Sequence, residues 1–170
     1  EINYTVCRRR RGLVPKVLDH LLQRRVYYKQ RKKETTGAAR AVYDQRQTAL
    51  KWCLVTSFGY LGYRNARFGR IEAHEAVTAF AREMLLRAKE VAESRGYRML
   101  HALVDSMWLY RPGATRNDYE DLATAVTAAT DLPIYVEGVY RWIGFLPSRT
   151  HKGVGVPNRY MGVFHDGTTK

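Results

Sequence analysis

The first half of the chain has the apolar spacing of helices. Over residues 14–33, apolar side chains recur on one side of a predicted helix, and the opposite side is basic. After a turn at 34–40, a second helix is predicted from about 41 to 57, so that the two helices form an antiparallel hairpin. Residues 71–95 have the clearest period, and Gly96 is well placed to end that helix.

The pattern of the remaining residues is shorter and less regular. Residues 59–69 are rich in glycine and aromatic side chains, so they are predicted to link the hairpin to the third helix and not to form a long helix. The other predicted elements are strands at 97–104 and 106–110, a helix at 119–130 with Asn117 or Asp118 as its cap, and strands at 133–146 and 154–164. This order predicts an α+β fold, with a helical hairpin and antiparallel strands packed on helices.

Positive charge is concentrated in the first part of the sequence. The 170 residues have a net charge of +13, and residues 1–70, with 17 basic and 4 acidic side chains, contain the whole excess. A basic segment beside a neutral one is typical of a protein that faces a polyanion, namely nucleic acid, a nucleotide triphosphate or an acidic membrane. A solvated basic surface is the alternative. A membrane is disfavoured because the best amphipathic helix, at 71–95, has near-balanced charge.

Composition restricts the class further. The length suits one domain or part of a larger one, and no apolar run reaches the roughly 18 residues of a transmembrane helix. Cys7 and Cys53 are too few for a disulfide framework, so we expect buried apolar thiols in a reducing compartment. The five histidines show no metal-ligand spacing, so a zinc site is not expected.

Three cations are candidates for binding a triphosphate. Arg25 and Lys29 are four residues apart and therefore share one face of the first helix. Lys51 comes from the second helix, and cations that converge from two helices suit the concentrated charge of a triphosphate. A solvated basic face is an equally open interpretation of the same spacing.

Asp105 and a group of aromatic side chains also have two interpretations each. A carboxylate between two apolar strands needs a partner or a metal, but Asp105 followed by Ser106 is ordinary turn chemistry, which the local sequence favours. Aromatic and arginine side chains alternate in the predicted link, which suits either nucleic-acid binding or the edge of a core. These residues are Tyr60, Tyr63, Arg64, Arg67, Phe68 and Arg70.

Read in order, four segments resemble the fingers and palm of family B DNA polymerases. CRRRRGLVPKVLDHLLQRRVYYKQRKK resembles the first fingers helix, and YDQRQTALKWCLVTSFGYLGYRNARFG resembles the second, which carries the motif K-x-x-x-N-S-x-Y-G. HALVDSMWLY stands where the palm motif Y-G-D-T-D-S belongs, and PNRYMGVFHDG stands where the primer-contacting K-K-x-Y belongs. Their order and spacing cover nearly all of the chain.

The resemblance implies a role for each candidate residue. Asp105 matches the second motif aspartate, a catalytic residue and a magnesium ligand. Phe58 and Gly59 match the pair that packs under the nascent base pair. The whole implied nucleotide site consists of Arg25, Lys29, Lys51, Phe58 and Gly59. The candidate DNA contacts are Tyr60, Arg64 and Arg67 from the link, with Arg159 and Tyr160 from the primer-duplex motif.

Several positions depart from the family pattern. Val55 replaces the motif asparagine, and Leu103 replaces the first aspartate of D-T-D. Pro157 and Asn158 replace the two lysines of K-K-x-Y. The upstream motif D-x-x-S-L-Y-P-S is not in the sequence, so we expect a fragment with impaired magnesium binding. These features resemble a motif-degenerate archaeal lineage of the family, often regarded as inactivated or reduced in activity.

The resemblance implies template-directed transfer of nucleotides from dNTPs to a primer 3′-hydroxyl. The family uses two magnesium ions for this reaction, and we expect weak or lost catalysis here. Residues 1–58 would be the fingers hairpin and residues 59–170 a partial palm. The expected partners are primer–template DNA, dNTPs and the remaining polymerase domains, in cis or as a separate subunit, in the cytoplasm with the nucleoid and away from membranes. A non-catalytic DNA-binding or scaffold subunit is the alternative.

Overall fold

The computed structural model describes Thr5, Cys7 and residues 9–170, except for the side chain of Pro157. Within this part of the chain, four helices and two small antiparallel sheets form the α+β fold that the pattern predicted. In chain order the elements are α1 (Leu13–Glu34), α2 (Gly37–Leu61), α3 (Ile71–Ser94), β1 (Arg98–Leu103), β2 (Ser106–Tyr110), α4 (Arg116–Thr130), β3 (Tyr140–Pro147) and β4 (Gly155–Phe164). A membrane-spanning helix is not found among the helices of the described residues.

The chain divides into two compact units, and the first, Glu1–Phe80, contains the hairpin of α1 and α2. Its closed end is held by an ion pair between Lys32 Nζ and Asp44 Oδ1 at 2.7 Å. The rings of Tyr28 and Tyr43 stack across the two helices with their centroids 6.0 Å apart. These contacts fix which turns of α1 and α2 lie side by side.

Helix α2 is longer at both ends than the pattern predicted. It begins at Gly37, where we expected a turn, because the alanines that follow are strong helix formers. It ends at Leu61, so Gly59 and Tyr60 belong to its last turns and not to the link. The link itself is a series of tight turns, closed where the Arg70 N–H donates to the Leu61 carbonyl at 2.8 Å.

The second unit, Ala81–Lys170, has its core where the end of α3 meets α4. Gly96 ends α3 as predicted, with φ of +79°, and the Tyr97 N–H then donates back to the Ala92 carbonyl at 3.0 Å. The alanines of α3 leave room for the larger side chains of α4. The buried cluster consists of Ala88, Ala92, Tyr97, Leu122 and Val126.

Two further expectations are wrong. The strand predicted at 133–146 begins only at Tyr140. Pro133 has no N–H to give to a ladder, and the Ile134 N–H donates to Thr127 Oγ1 at 3.0 Å, which ties this segment to α4. The cysteines are also not buried, because Cys7 and Cys53 are both exposed free thiols.

Helix α4 begins one turn earlier than predicted because Thr115, and not Asn117 or Asp118, is its N-cap. The Asp118 N–H donates to Thr115 Oγ1 at 3.3 Å, and Asp118 Oδ2 accepts from the Thr115 N–H at 2.7 Å, which completes a capping box. Hydrogen bonds from Thr115 and the neighbouring Arg111 guanidinium lower the pKa of the Asp118 carboxyl.

Asp118→Asn is expected to destabilise the chain at pH 7 and to destabilise it less at pH 3. Folding lowers the pKa of this carboxyl, so its ionised form stabilises the fold at pH values above the pKa in the unfolded chain, near 4. This stabilisation is lost as the pH falls through the pKa of the folded state. Thermal unfolding midpoints at the two pH values measure the difference. Asp121→Asn, at an exposed position of the same helix, is the matched control. Its effect on the unfolding midpoint should not differ in this way between the two pH values.

Candidate nucleotide and DNA interface

The three candidate triphosphate cations lie on the helical hairpin of the first unit. Arg25 is half-buried on α1, whereas Lys29 and Lys51 are exposed. The Arg46 guanidinium contacts the Tyr28 ring across the hairpin, at 5.6 Å from the ring centroid. When the residues are counted along the antiparallel helices from this contact, Lys51 is level with the α1 segment that ends at Arg25. Sequence spacing could show only the Arg25–Lys29 face, and the hairpin register adds the third cation.

These cations differ from two of the basic residues at the closed end of the hairpin, which are paired with carboxylates. Lys32 is paired with Asp44, and Arg31 with Glu34. Among the described residues, Arg25, Lys29 and Lys51 have no ion pair with a carboxylate. The Arg25 Nε is buried without a hydrogen-bond partner in the described part of the chain, and Lys51 Nζ lies 5.9 Å from the Trp52 ring centroid. Their charge is therefore available to an anion from outside.

Phe58 and Gly59 lie near the C-terminal end of α2. The Phe58 ring stacks on the imidazole of His74, with centroids 4.1 Å apart and planes 22° apart, yet Phe58 remains 39% exposed. A Cβ atom added at Gly59 would meet nothing within 4 Å. The surface of α2 at this point is therefore an exposed aromatic ring beside an open backbone position.

The candidate DNA contacts that follow in the chain are also at the surface. Arg64 and Arg67 are exposed, and the Arg67 guanidinium lies 5.4 Å from the Phe68 ring centroid. Tyr60, Tyr63 and Phe68 are each about half exposed. A role of these residues in nucleic-acid binding stays a prediction.

Asp105 lies in the second unit, in the tight turn between β1 and β2, as the turn interpretation predicted. Its carboxylate is exposed, and Ser106 Oγ lies 3.4 Å from Oδ1. Val104 before it has a φ of 54°, which is strained for a β-branched residue. Leu103 ends β1 opposite Ser106, so an apolar side chain stands where the family has its first aspartate.

The described residues do not fit the two-metal site that the family implies. Among them, no three His, Cys, Asp or Glu side chains are close enough together to hold a metal ion. Asp105 is the motif carboxylate that remains, and two-metal sites bind both ions between several carboxylates. Impaired magnesium binding stays a prediction from the sequence.

Arg159 and Tyr160 lie on β4 of the second unit. Arg159 is exposed, whereas the half-buried Tyr160 ring packs edge-on against Trp108 of β2 with centroids 5.0 Å apart. His101 of β1 and Phe145 of β3 complete this aromatic cluster. The cluster thereby places the Arg159 strand beside the hairpin that carries Asp105.

Sequence reasoning missed His74 and Trp108, the two residues that hold Phe58 and Tyr160. Neither matches a motif position, although Trp108 lies in the segment HALVDSMWLY, and their contacts are with residues distant in sequence. The half-exposed Trp52 beside Lys51 was also missed. An exposed tryptophan next to a motif lysine could have been found from the predicted α2 alone.

Comparison with known proteins identifies the family. Residues 2–123 match the model of DNA polymerase family B. The chain therefore belongs to the family B DNA polymerases, which confirms the resemblance, and the matched range contains the first three of the four sequence segments.

The relatives with curated descriptions include several archaeal polymerases. The chain is 35% identical over 159 residues to "DNA polymerase 2" of Saccharolobus solfataricus, covering 93% of this chain and 22% of that protein. It is 31% identical over 124 residues to "DNA polymerase 1" of Pyrococcus abyssi, covering 72% and 16%. It is 27% identical over 172 residues to "DNA polymerase 1" of Sulfurisphaera ohwakuensis, covering 99% and 19%. The chain thus spans less than a quarter of each relative.

Proposed function

We propose that this chain is the nucleotide- and DNA-contacting segment of a family B DNA polymerase homologue. Residues 1–58 act as the fingers hairpin, and residues 59–170 act as part of the palm. The observation that carries the proposal is a set of cations, Arg25, Lys29 and Lys51, that have no ion pair with a described carboxylate and lie on a hairpin within the segment that matches the family.

The proposed binding roles follow from the chemistry of the exposed side chains. The hairpin cations bind the triphosphate of an incoming dNTP, and Phe58 with Gly59 contacts the nascent base pair. Arg64 and Arg67 contact phosphates of the primer–template, while Tyr60 offers a stacking surface. Arg159 and Tyr160 contact the primer duplex. The remaining polymerase domains complete the site, in cis or as a separate subunit.

Catalysis is proposed to be weak or lost. Leu103 removes one carboxylate, and the described residues do not form a metal-binding group. The same observations favour a second candidate, a non-catalytic DNA-binding or scaffold subunit that keeps the polymerase fold. A nucleotide-incorporation assay distinguishes the two candidates, because a non-catalytic subunit would not incorporate nucleotides.

Lys51→Glu is expected to weaken dNTP binding in the presence of primer–template by about 10- to 100-fold. The reason is the loss of charge-assisted hydrogen bonds from Lys51 to the triphosphate. Lys16→Glu, an exposed lysine near the start of α1, is the matched control for net charge. Equal losses in both variants would contradict a localised triphosphate site.

Primer extension with the longest natural form of the protein tests the catalytic part, with Mg²⁺ and then with Mn²⁺. Extension that disappears in Asp105→Ala would establish a reduced polymerase. Tight binding to DNA without extension would support the scaffold candidate. A protein that binds neither DNA nor dNTP would overturn the proposed function altogether.

A further inference from the structure

Two contacts join His74, in the first turn of α3, to Phe58 on α2. The imidazole stacks on the Phe58 ring at 4.1 Å, and its Nδ1 lies 3.0 Å from the Phe58 carbonyl oxygen. That carbonyl is among the last four of α2, which have no partner inside the helix. One side chain therefore restrains both the ring and the backbone of Phe58.

The position of the His74 ring is itself determined by the chain around it. A Cβ atom added at Gly62 would lie 3.1 Å from His74 Cγ, so any larger residue at Gly62 would displace the imidazole. The Arg70 N–H donates to the Leu61 carbonyl at 2.8 Å and folds the link back on itself. The start of α3 is thus held against the end of α2.

We infer that His74 is a positioning residue that holds Phe58 as a stacking surface for a nucleobase. The inference rests on the proposed function of Phe58 and assigns a role to a residue outside the motifs. One face of the Phe58 ring is covered by the imidazole, and the 39% exposure of Phe58 leaves ring surface for a base. A ring that is already held loses less side-chain freedom when a base stacks on it.

The test uses the 170-residue chain with a primer–template whose templating base is 2-aminopurine, in the presence of dTTP. The fluorescence of 2-aminopurine is quenched when the base stacks on an aromatic ring. In His74→Ala, we expect dTTP-dependent binding to weaken about 5-fold or more, with loss of the quench. Affinity for the DNA alone should change little, because the phosphate contacts of the basic residues dominate it.

Two further variants separate positioning from folding. His74→Phe keeps a ring against Phe58 and should restore most of the quench, whereas His74→Asn loses the stack and should not. His165→Ala, an exposed histidine of the second unit, is the matched control. Unchanged thermal midpoints exclude unfolding as the cause.

The possible outcomes separate the role of His74 from the proposed function of Phe58. A wild-type quench that persists in His74→Ala and disappears in Phe58→Leu would overturn the role of His74 and leave the proposed function intact. No quench and no DNA binding by the wild-type chain would overturn both. A quench lost in His74→Ala and restored in His74→Phe supports the inference.

Discussion

Primer–template binding by the chain is expected to weaken by about 10²- to 10³-fold as salt rises from about 50 to about 200 mM, if roughly five phosphates are contacted. The physical reason is the release of counterions from DNA when basic side chains neutralise its phosphates. Residues 1–70 contain the entire excess of 13 positive charges. Arg64 and Arg67 are exposed within this segment and have no ion pair to a described carboxylate.

The double variant Arg64→Glu and Arg67→Glu should reduce the slope of log affinity against log salt by about 2. Arg141→Glu with Arg149→Glu, two exposed arginines of the second unit, changes the net charge equally and is the matched control. Fluorescence anisotropy over a salt series gives both slopes. Similar slope changes in the two double variants would mean that binding depends on net charge and not on the proposed contacts.

Local sequence determined some elements well. The period of residues 71–95 and the glycine that follows predicted α3 and its end at Ser94 almost to the residue. The Asp105 turn was also predicted, because two short apolar runs flank a residue pair that suits turns. In each case the deciding interactions are between neighbours in the sequence.

Other boundaries depended on contacts that local patterns do not contain. The end of α2 was placed too early because Gly59 and the aromatic residues after it suggested a link, yet the helix continues to Leu61, which is buried. The first strand of the last pair was placed too early because Ile134 looks like a strand residue. Its N–H is instead bound by Thr127 of α4.

The candidate site was predictable to a similar degree. Motif spacing indicated Arg25, Lys29 and Lys51, but only the hairpin register indicates that Lys51 lies level with the α1 segment that ends at Arg25. The sequence also contained Phe58, but not the stacking of Phe58 on His74, which requires the link to fold back through the Arg70–Leu61 hydrogen bond. The local sequence thus identifies the candidate functional side chains, whereas tertiary contacts determine how they are positioned.

Gly59→Ala is expected to stabilise the chain slightly and to weaken binding of primer–template with dNTP about 10-fold or more. Glycine inside a helix is less favourable than alanine by up to about 1 kcal/mol, and a Cβ atom here would meet nothing within 4 Å. The fold therefore does not need a glycine at this position. At Gly62, by contrast, an added Cβ would lie 3.1 Å from the His74 ring, so the ring would have to shift by a few tenths of an ångström.

A glycine that costs stability and fills no structural need is best explained by a group that approaches it from outside. In the proposed complex that group is the nascent base pair beside Phe58, and a methyl group on Gly59 would hold it away. Gly144→Ala, at another open position on β3, is the matched control and should leave binding unchanged. Thermal unfolding and dNTP-dependent anisotropy measure the two effects separately. If Gly59→Ala binds as tightly as the wild type, the base pair does not approach α2 at this point, and the surface formed by Phe58 and Gly59 must be reassigned.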